Sequence, residues 1–252
     1  MASLKSTTGG LFSGSPAYVA RTPWDPVRGL LATLLIIGAG IIGAAVLVGS
    51  ASIGRIDEPG REDMTALATL GAWQILAVVL TVLVSGRLGG LPRDVLSLRP
   101  PAGSPWVYLG ALACMAGLQL FLSIVQYGAI GQDPLADLRP FARLATSSEW
   151  LVALLVVGVG APLSEELLFR GFLLSALAKS RLGFAGAAVI TTAGWTLLHA
   201  GYSAAGITEV FVIGLFFCWL LWRTGSLRVA IFCHALYNSL VVLVLRHVPL
   251  PA

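Results

Sequence analysis

Two adjacent glutamates, Glu165 and Glu166, lie in a stretch that otherwise has the composition of a membrane-spanning helix, and Arg170 follows one turn later. A charged group at the bilayer centre costs roughly 2.5–3.5 kcal/mol on insertion scales, so such groups normally face a bundle interior or a hydrated cavity. Residues four apart share a helix face, so we expect Glu166 and Arg170 to form a supporting ion pair. Glu165 is rotated by about 100° from Glu166 and is free to point into a cavity.

Two histidines have a similar setting, because His199 and His234 are both embedded in apolar runs. Trp195 precedes His199 by four residues and Asn238 follows His234 by four, so each pair shares a helix face. By contrast, His247 near the C-terminus is interpreted as a solvated residue.

The chemistry that these residues suggest is activation of water for attack on a carbonyl carbon. Glu165 suits the role of general base, and His199 would help to hold the water. His234 and Asn238 would donate hydrogen bonds to the developing oxyanion, a contribution of about 2.7–4 kcal/mol per donor in well-studied enzymes. A metal alternative uses Glu165, His199 and His234 as ligands of a divalent ion such as zinc and leaves a position open for water.

Two further residues bear on this site. Pro162 lacks an N–H, so we expect it to leave the carbonyl of Gly158 without its helical donor and to open the helix just before the carboxylates. Glu209, at the start of a later apolar segment, is interpreted as a solvated or helix-capping residue.

The elements that must position these groups are membrane-spanning helices. The chain has 252 residues, of which 57% are hydrophobic and only 11% charged, whereas a soluble domain has about 25% charged residues. An all-α, polytopic helical bundle of about seven spans is therefore predicted. The expected spans are 29–50, 65–84, 106–128, 150–178, 184–202, 208–222 and 227–245.

Positive charge predicts the orientation of the bundle. Ten Lys and Arg residues fall in the N-terminal segment and the even-numbered connections, and five, Arg55 and Arg61 among them, fall on the other side. This asymmetry, to which Lys5 contributes, favours a cytoplasmic N-terminus and a multi-pass protein of a bacterial inner membrane. The net charge of +4 does not imply a nucleic-acid partner, since attraction to anionic lipid is sufficient to explain it.

We expect three regions along the chain: a flexible cytoplasmic tail over 1–28, N-terminal helices and loops over 29–148, and a catalytic four-helix core over 149–246. The three cysteines, Cys114, Cys218 and Cys233, lie in apolar runs without a C-x-x-C spacing, so neither a disulfide framework nor a thiolate zinc site is indicated.

Three motifs give a resemblance to a known family. The sequences P-L-S-E-E-L-L-F-R-G (162–171), W-T-L-L-H (195–199) and H-A-L-Y-N (234–238) resemble, in order and spacing, the motifs of the CPBP intramembrane proteases, relatives of the CAAX prenyl endopeptidases also called the Abi family. The resemblance covers roughly residues 150–245. One departure is that Trp195 stands where the second motif usually begins with Phe.

The resemblance implies an endopeptidase that acts at or within the membrane on a membrane-associated or lipidated peptide or protein. Glu165, His199, His234 and Asn238 would then be the catalytic set, with Glu166 and Arg170 in support. The resemblance leaves metal dependence open, and we favour a metal-free mechanism because Asn238 suits an oxyanion donor better than a zinc ligand.

Two other functions compete with proteolysis. The same bundle would serve as a non-catalytic protein that binds a membrane peptide, as an immunity or scaffold factor. A proton-coupled transporter that uses Glu165 and the histidines as a relay is less favoured, because the sequence shows no internal repeat. The substrate, prenylated or not, and the oligomeric state stay open.

Overall fold

The computed structural model describes residues 11, 12, 14–52, 61–133 and 135–248, and within them the chain is all-helical. Lys5 and Arg55 of the charge count, and residues 1–10 and 13 of the predicted tail, lie outside these described residues. The helices are α1 (Pro26–Ser52), α2 (Arg61–Arg87), the short α3 (Pro92–Val95), α4 (Val107–Val125), α5 (Arg139–Thr146), α6 (Trp150–Leu177), α7 (Gly183–Thr196), α8 (Ala204–Thr224) and α9 (Leu227–His247).

Six helices in the described part of the chain are long and apolar enough to cross a membrane, which supports an integral membrane protein. They are α1, α2, α4 with its π-helical extension to Ile130, α6, α8 and α9. The predicted span over 184–202 corresponds to α7, an α-helix of 14 residues continued by a 3₁₀ turn over Leu197–His199. That helix is shorter than the about 20 residues that a helix needs to cross the hydrocarbon core of a bilayer.

Helix α6 is the centre of the bundle. Every residue from Glu166 to Leu177 is buried, in contact with the other helices of the core. By contrast, large apolar side chains of α1 such as Leu35 and Ile42 are 72% and 67% exposed, as expected for a surface that faces lipid. The buried half of α6 carries the acidic pair, so the packing of the whole bundle converges on the predicted site.

The segment before α1 packs against this central helix. Trp24 is buried, and its ring stacks on that of Phe172 with a centroid distance of 4.7 Å. Thr22 donates to the carbonyl of Ser175 at 3.1 Å, and the Lys179 ammonium donates to the carbonyl of Thr22 at 2.6 Å. The described part of the predicted flexible tail is therefore docked on the bundle, because one tryptophan provides an apolar anchor that the Gly-, Ser- and Pro-rich composition obscures.

The ends of the helices follow local sequence rules. Asp25 accepts a hydrogen bond from the Arg28 N–H at 2.9 Å, and Pro26 occupies the first position of α1, where its missing N–H costs nothing. Ser203 caps α8 by accepting from the Gly206 N–H at 3.1 Å. Gly225 ends α8 with a φ of 65°, a left-handed conformation that glycine adopts without strain.

Candidate active site

Helix α6 changes its winding on both sides of the acidic pair. Leu154–Gly160 and Glu166–Leu173 are π-helical, and the α-helical turn Ala161–Glu165 lies between them. The Ala161 N–H bonds to the carbonyl of Val156, five residues back, so the next donor in this register would be Pro162, aimed at Val157. Since proline has no N–H, the free acceptor falls on Val157. The free carbonyl expected at Gly158 stays a prediction, and the π turn, one residue wider than an α turn, adds Val157 as the acceptor opposite Pro162.

Asn238 of α9 fills this gap. Its side-chain amide donates to the carbonyl of Val157 at 3.2 Å. A primary amide has two N–H groups, and this bond uses one of them. The proline in α6 and the asparagine in α9 thus form one unit, in which the side chain replaces the missing backbone donor.

Glu166 and Arg170 form the ion pair that their spacing predicts. Arg170 Nη1 lies 3.1 Å from Glu166 Oε1, and both side chains are completely buried. The same carboxylate oxygen is 3.0 Å from Nδ1 of His234. Arg170 also donates from Nη2 to the carbonyl of Gly214 at 3.3 Å, which ties α6 to α8. Glu166 is therefore a structural anion between α6 and α9 that meets both partners through Oε1, whereas its Oε2 is buried without a hydrogen-bond partner among the described residues.

Glu165 has a different environment. Its side chain is half-buried, and Oε2 accepts a hydrogen bond from the indole Nε1 of Trp195 at 2.6 Å. Trp195 is itself buried, and the Arg170 guanidinium lies 4.2 Å from the centre of its ring. One of the two neighbouring carboxylates is thus neutralised in the core, while the other keeps an oxygen available at the edge of the cluster.

His199 lies beside this carboxylate. Its ring packs edge-on against that of Trp195 with a centroid distance of 5.0 Å, and Nδ1 is 3.4 Å from the Trp195 carbonyl. A carbonyl oxygen only accepts, so this contact requires the hydrogen on Nδ1 and leaves Nε2 as an acceptor. His234 also packs edge-on against the same indole, at 5.8 Å between ring centroids.

The side chains proposed as metal ligands do not fit a metal. Within the described residues, no group of three His, Cys, Asp or Glu side chains is arranged to hold an ion. The contacts give the reason, because Glu165 is held by Trp195 whereas His234 is held by Glu166.

Sequence reasoning missed two features of this region. Trp195 donates directly to Glu165, a contact that its spacing from His199 does not predict; the available signal was its indole N–H, which needs an acceptor when the ring is buried. Glu209 was read as solvated or capping, whereas it accepts hydrogen bonds from Gln119 at 2.6 Å and from Gln126 of the third span. Amides in apolar helices were the available signal for this second cluster.

Comparison with known families agrees with this geometry. The family model described as type II CAAX prenyl endopeptidase Rce1-like matches residues 147–240. The match covers less than half of the chain and supports a similarity of this segment to the CPBP/CAAX protease family. The match spans the three motifs and supports a CAAX-type intramembrane protease in general. Comparisons with curated proteins and with solved structures gave no match.

Members of this protease family are hydrolases, and the match begins just before α6 and ends within α9. It therefore covers every residue of the cluster, from Glu165 and Trp195 to Asn238, and leaves α1, α2 and α4 outside. Those three helices contribute to the core around α6 and carry Gln119 and Gln126 of the second polar cluster.

Proposed function

We propose that the chain is an intramembrane endopeptidase that hydrolyses a peptide bond of a membrane-associated or lipidated protein, with Glu165 as general base. The proposal depends on one observation, which is that the two adjacent carboxylates have different environments. Glu166 is buried against Arg170 and His234, whereas Glu165 is half-buried beside His199 with Oε1 unused by the indole. A charged group kept at this cost without a second ion pair is suited to chemistry.

In the proposed reaction, a water lies between Glu165 Oε1 and Nε2 of His199. Glu165 takes one proton as the water oxygen attacks the carbonyl carbon of the scissile bond, and His199 accepts a hydrogen bond from the other. The tetrahedral intermediate carries its negative charge on the former carbonyl oxygen. When it collapses, the C–N bond breaks and the proton on Glu165 passes to the leaving amine, which restores the base.

The oxyanion would be stabilised from α9. Asn238 has one amide N–H beyond the one that serves Val157, and His234 in its imidazolium form donates from Nε2 while Nδ1 stays on Glu166. Both donors are held by packing or by a hydrogen bond before substrate arrives. Such preorganised donors act most strongly in a site from which water is largely excluded. The domain from 149 to 246 is the catalytic core in this proposal.

The test compares Glu165→Gln with wild-type protein in proteoliposomes, using an internally quenched farnesylated CAAX-tail peptide as the first probe. Loss of a general base lowers kcat by about 10²–10⁴-fold. Mass spectrometry of new peptide termini in membranes of cells that express either form extends the test to substrates that are not prenylated. Glu149→Gln is the matched control, because its carboxylate accepts a hydrogen bond from the neighbouring Ser148 hydroxyl at 2.6 Å and lies before α6, away from the cluster.

Cleavage by the wild-type protein and by Glu149→Gln, with none by Glu165→Gln, supports the assignment. Full cleavage by folded Glu165→Gln contradicts it. If neither form generates new termini while both retain a bound membrane peptide after purification, the non-catalytic binding function is correct instead.

A further inference from the structure

Trp195 differs from the other aromatic residues of the bundle in the strength and position of the hydrogen bond that it donates. The indole Nε1 donates to Glu165 Oε2 at 2.6 Å, between residues 30 positions apart on different helices. A hydrogen bond to an ionised carboxylate is roughly twice as strong as one between neutral groups. In an apolar bundle this single contact decides which way the carboxylate turns.

The indole is held on all sides. It is 3% exposed, its face carries the Arg170 guanidinium at 4.2 Å, and the rings of His199 and His234 meet it edge-on at 5.0 and 5.8 Å. Gly214 of α8 makes room for this stack, since a Cβ there would lie 2.9 Å from the indole and 2.8 Å from Arg170 Nη2. The N–H that reaches Glu165 therefore has one direction available to it.

The cation on the ring face adds to the strength of the donor. A guanidinium over an indole attracts the electron density of the ring and so polarises the N–H. Hydrogen bonds in a low-dielectric network also polarise one another. The contacts run from His234 to Glu166, from Glu166 to Arg170, from Arg170 across the indole, and from the indole to Glu165. The buried ion pair is thereby connected to the half-buried carboxylate through one aromatic ring.

We infer that Trp195 is a positioning residue for the general base: its N–H fixes one oxygen of Glu165 and directs the other to the water beside His199. This inference rests on the proposed function, in which Glu165 is the base. A phenylalanine at 195 would keep an aromatic face for the cation, with a smaller ring, but it would leave the carboxylate free to rotate. Trp195 touches neither substrate nor water in this scheme and acts through Glu165.

The first measurement looks for the bond itself. Protein labelled with ¹⁵N-tryptophan in nanodiscs has seven tryptophans and hence seven indole N–H resonances. The resonance that disappears in Trp195→Phe belongs to Trp195, and it should move when Glu165→Gln replaces the charged acceptor by a neutral one. A Trp195 resonance that is unchanged in Glu165→Gln overturns the inference. Because Glu165→Gln retains the indole, this comparison holds even if Trp195→Phe folds poorly.

The second measurement is the steady-state kinetics of Trp195→Phe with the quenched farnesylated peptide. The kcat should fall about tenfold with little change in KM, because a base that is not held by the indole is misplaced in the reacting complex. A merely structural loss would instead lower the amount of folded, active protein and would leave the kcat of the remaining active sites unchanged.

Trp219→Phe is the matched control, since it removes another indole N–H from α8 while Trp219 stacks on Phe216, at 5.8 Å between ring centroids. Its kcat and KM should equal those of the wild type. A kcat that falls equally in Trp219→Phe, or that does not fall in Trp195→Phe, refutes the positioning role. An inactive wild-type protein would overturn the proposed function and with it this role, whereas the resonance shift would still establish the hydrogen bond.

Discussion

Arg170→Met tests the energetic core of the site. The substitution keeps an unbranched apolar stem but removes the guanidinium, whose charge lies 3.1 Å from Glu166 in a place where neither group has any exposure. Breaking a buried pair by removing one partner costs about 3–5 kcal/mol, since the remaining charge stays uncompensated. At about 2–4 °C per kcal/mol for a chain of this size, the melting temperature should fall by roughly 6–20 °C.

The assay is thermal unfolding in a mild detergent, followed by far-ultraviolet circular dichroism. The double variant Glu166→Gln with Arg170→Met removes both charges and should regain more than half of the loss, because the penalty comes from the orphaned carboxylate. Arg143→Met is the matched control: its partner Asp63 lies 2.5 Å away, but the arginine side chain is 69% exposed, and such pairs contribute about 0–1 kcal/mol.

An Arg170→Met protein that melts with the Arg143→Met control would show that the buried pair does not stabilise the bundle. A double variant as unstable as Arg170→Met would place the loss in the stacking on Trp195 and in the bond to the Gly214 carbonyl, and not in the charge of Glu166.

Two further predictions concern other parts of the structure. Asn238→Ala leaves the Val157 carbonyl without its donor next to Pro162, so it should lower stability by about 1–3 kcal/mol in the same unfolding assay, and Ser239→Ala should not. Gly225→Ala places a Cβ 2.7 Å from a carbonyl of the N-terminal segment and strains a φ of 65°, so hydrogen–deuterium exchange of residues 14–25 should accelerate while that of α6 stays slow.

The contacts of the site that could be predicted from the sequence are those between residues of one helix, because their spacing places them on the same face. Glu166 and Arg170 four residues apart had to share a face, and a buried carboxylate needs a cation, so their pairing follows from the sequence. The same periodicity placed Trp195 beside His199. The unpredictable part lies between helices, because no pattern in a single chain specifies which rotamer of Glu165 meets which residue of α7.

The winding of α6 shows the same limit. Pro162 predicts an irregularity in the helix. Whether the preceding turn is α or π depends on which group can replace the lost backbone donor. That group is Asn238, from a helix more than seventy residues later in the chain. Trp24 likewise becomes an anchor only because Phe172 presents a flat surface to it. Each is a contact between distant residues, decided by how the helices pack.

Composition alone determined that this chain forms an apolar helical bundle, since a backbone in lipid must satisfy its own hydrogen bonds. The order of three short motifs indicated a protease family, and helical periodicity paired Glu166 with Arg170. Tertiary structure decided how the two carboxylates differ: packing buries Glu166 between a guanidinium and an imidazole, and it turns Glu165 toward an indole N–H. The two residues are identical in chemistry and adjacent in sequence, so only their neighbours in space can distinguish them.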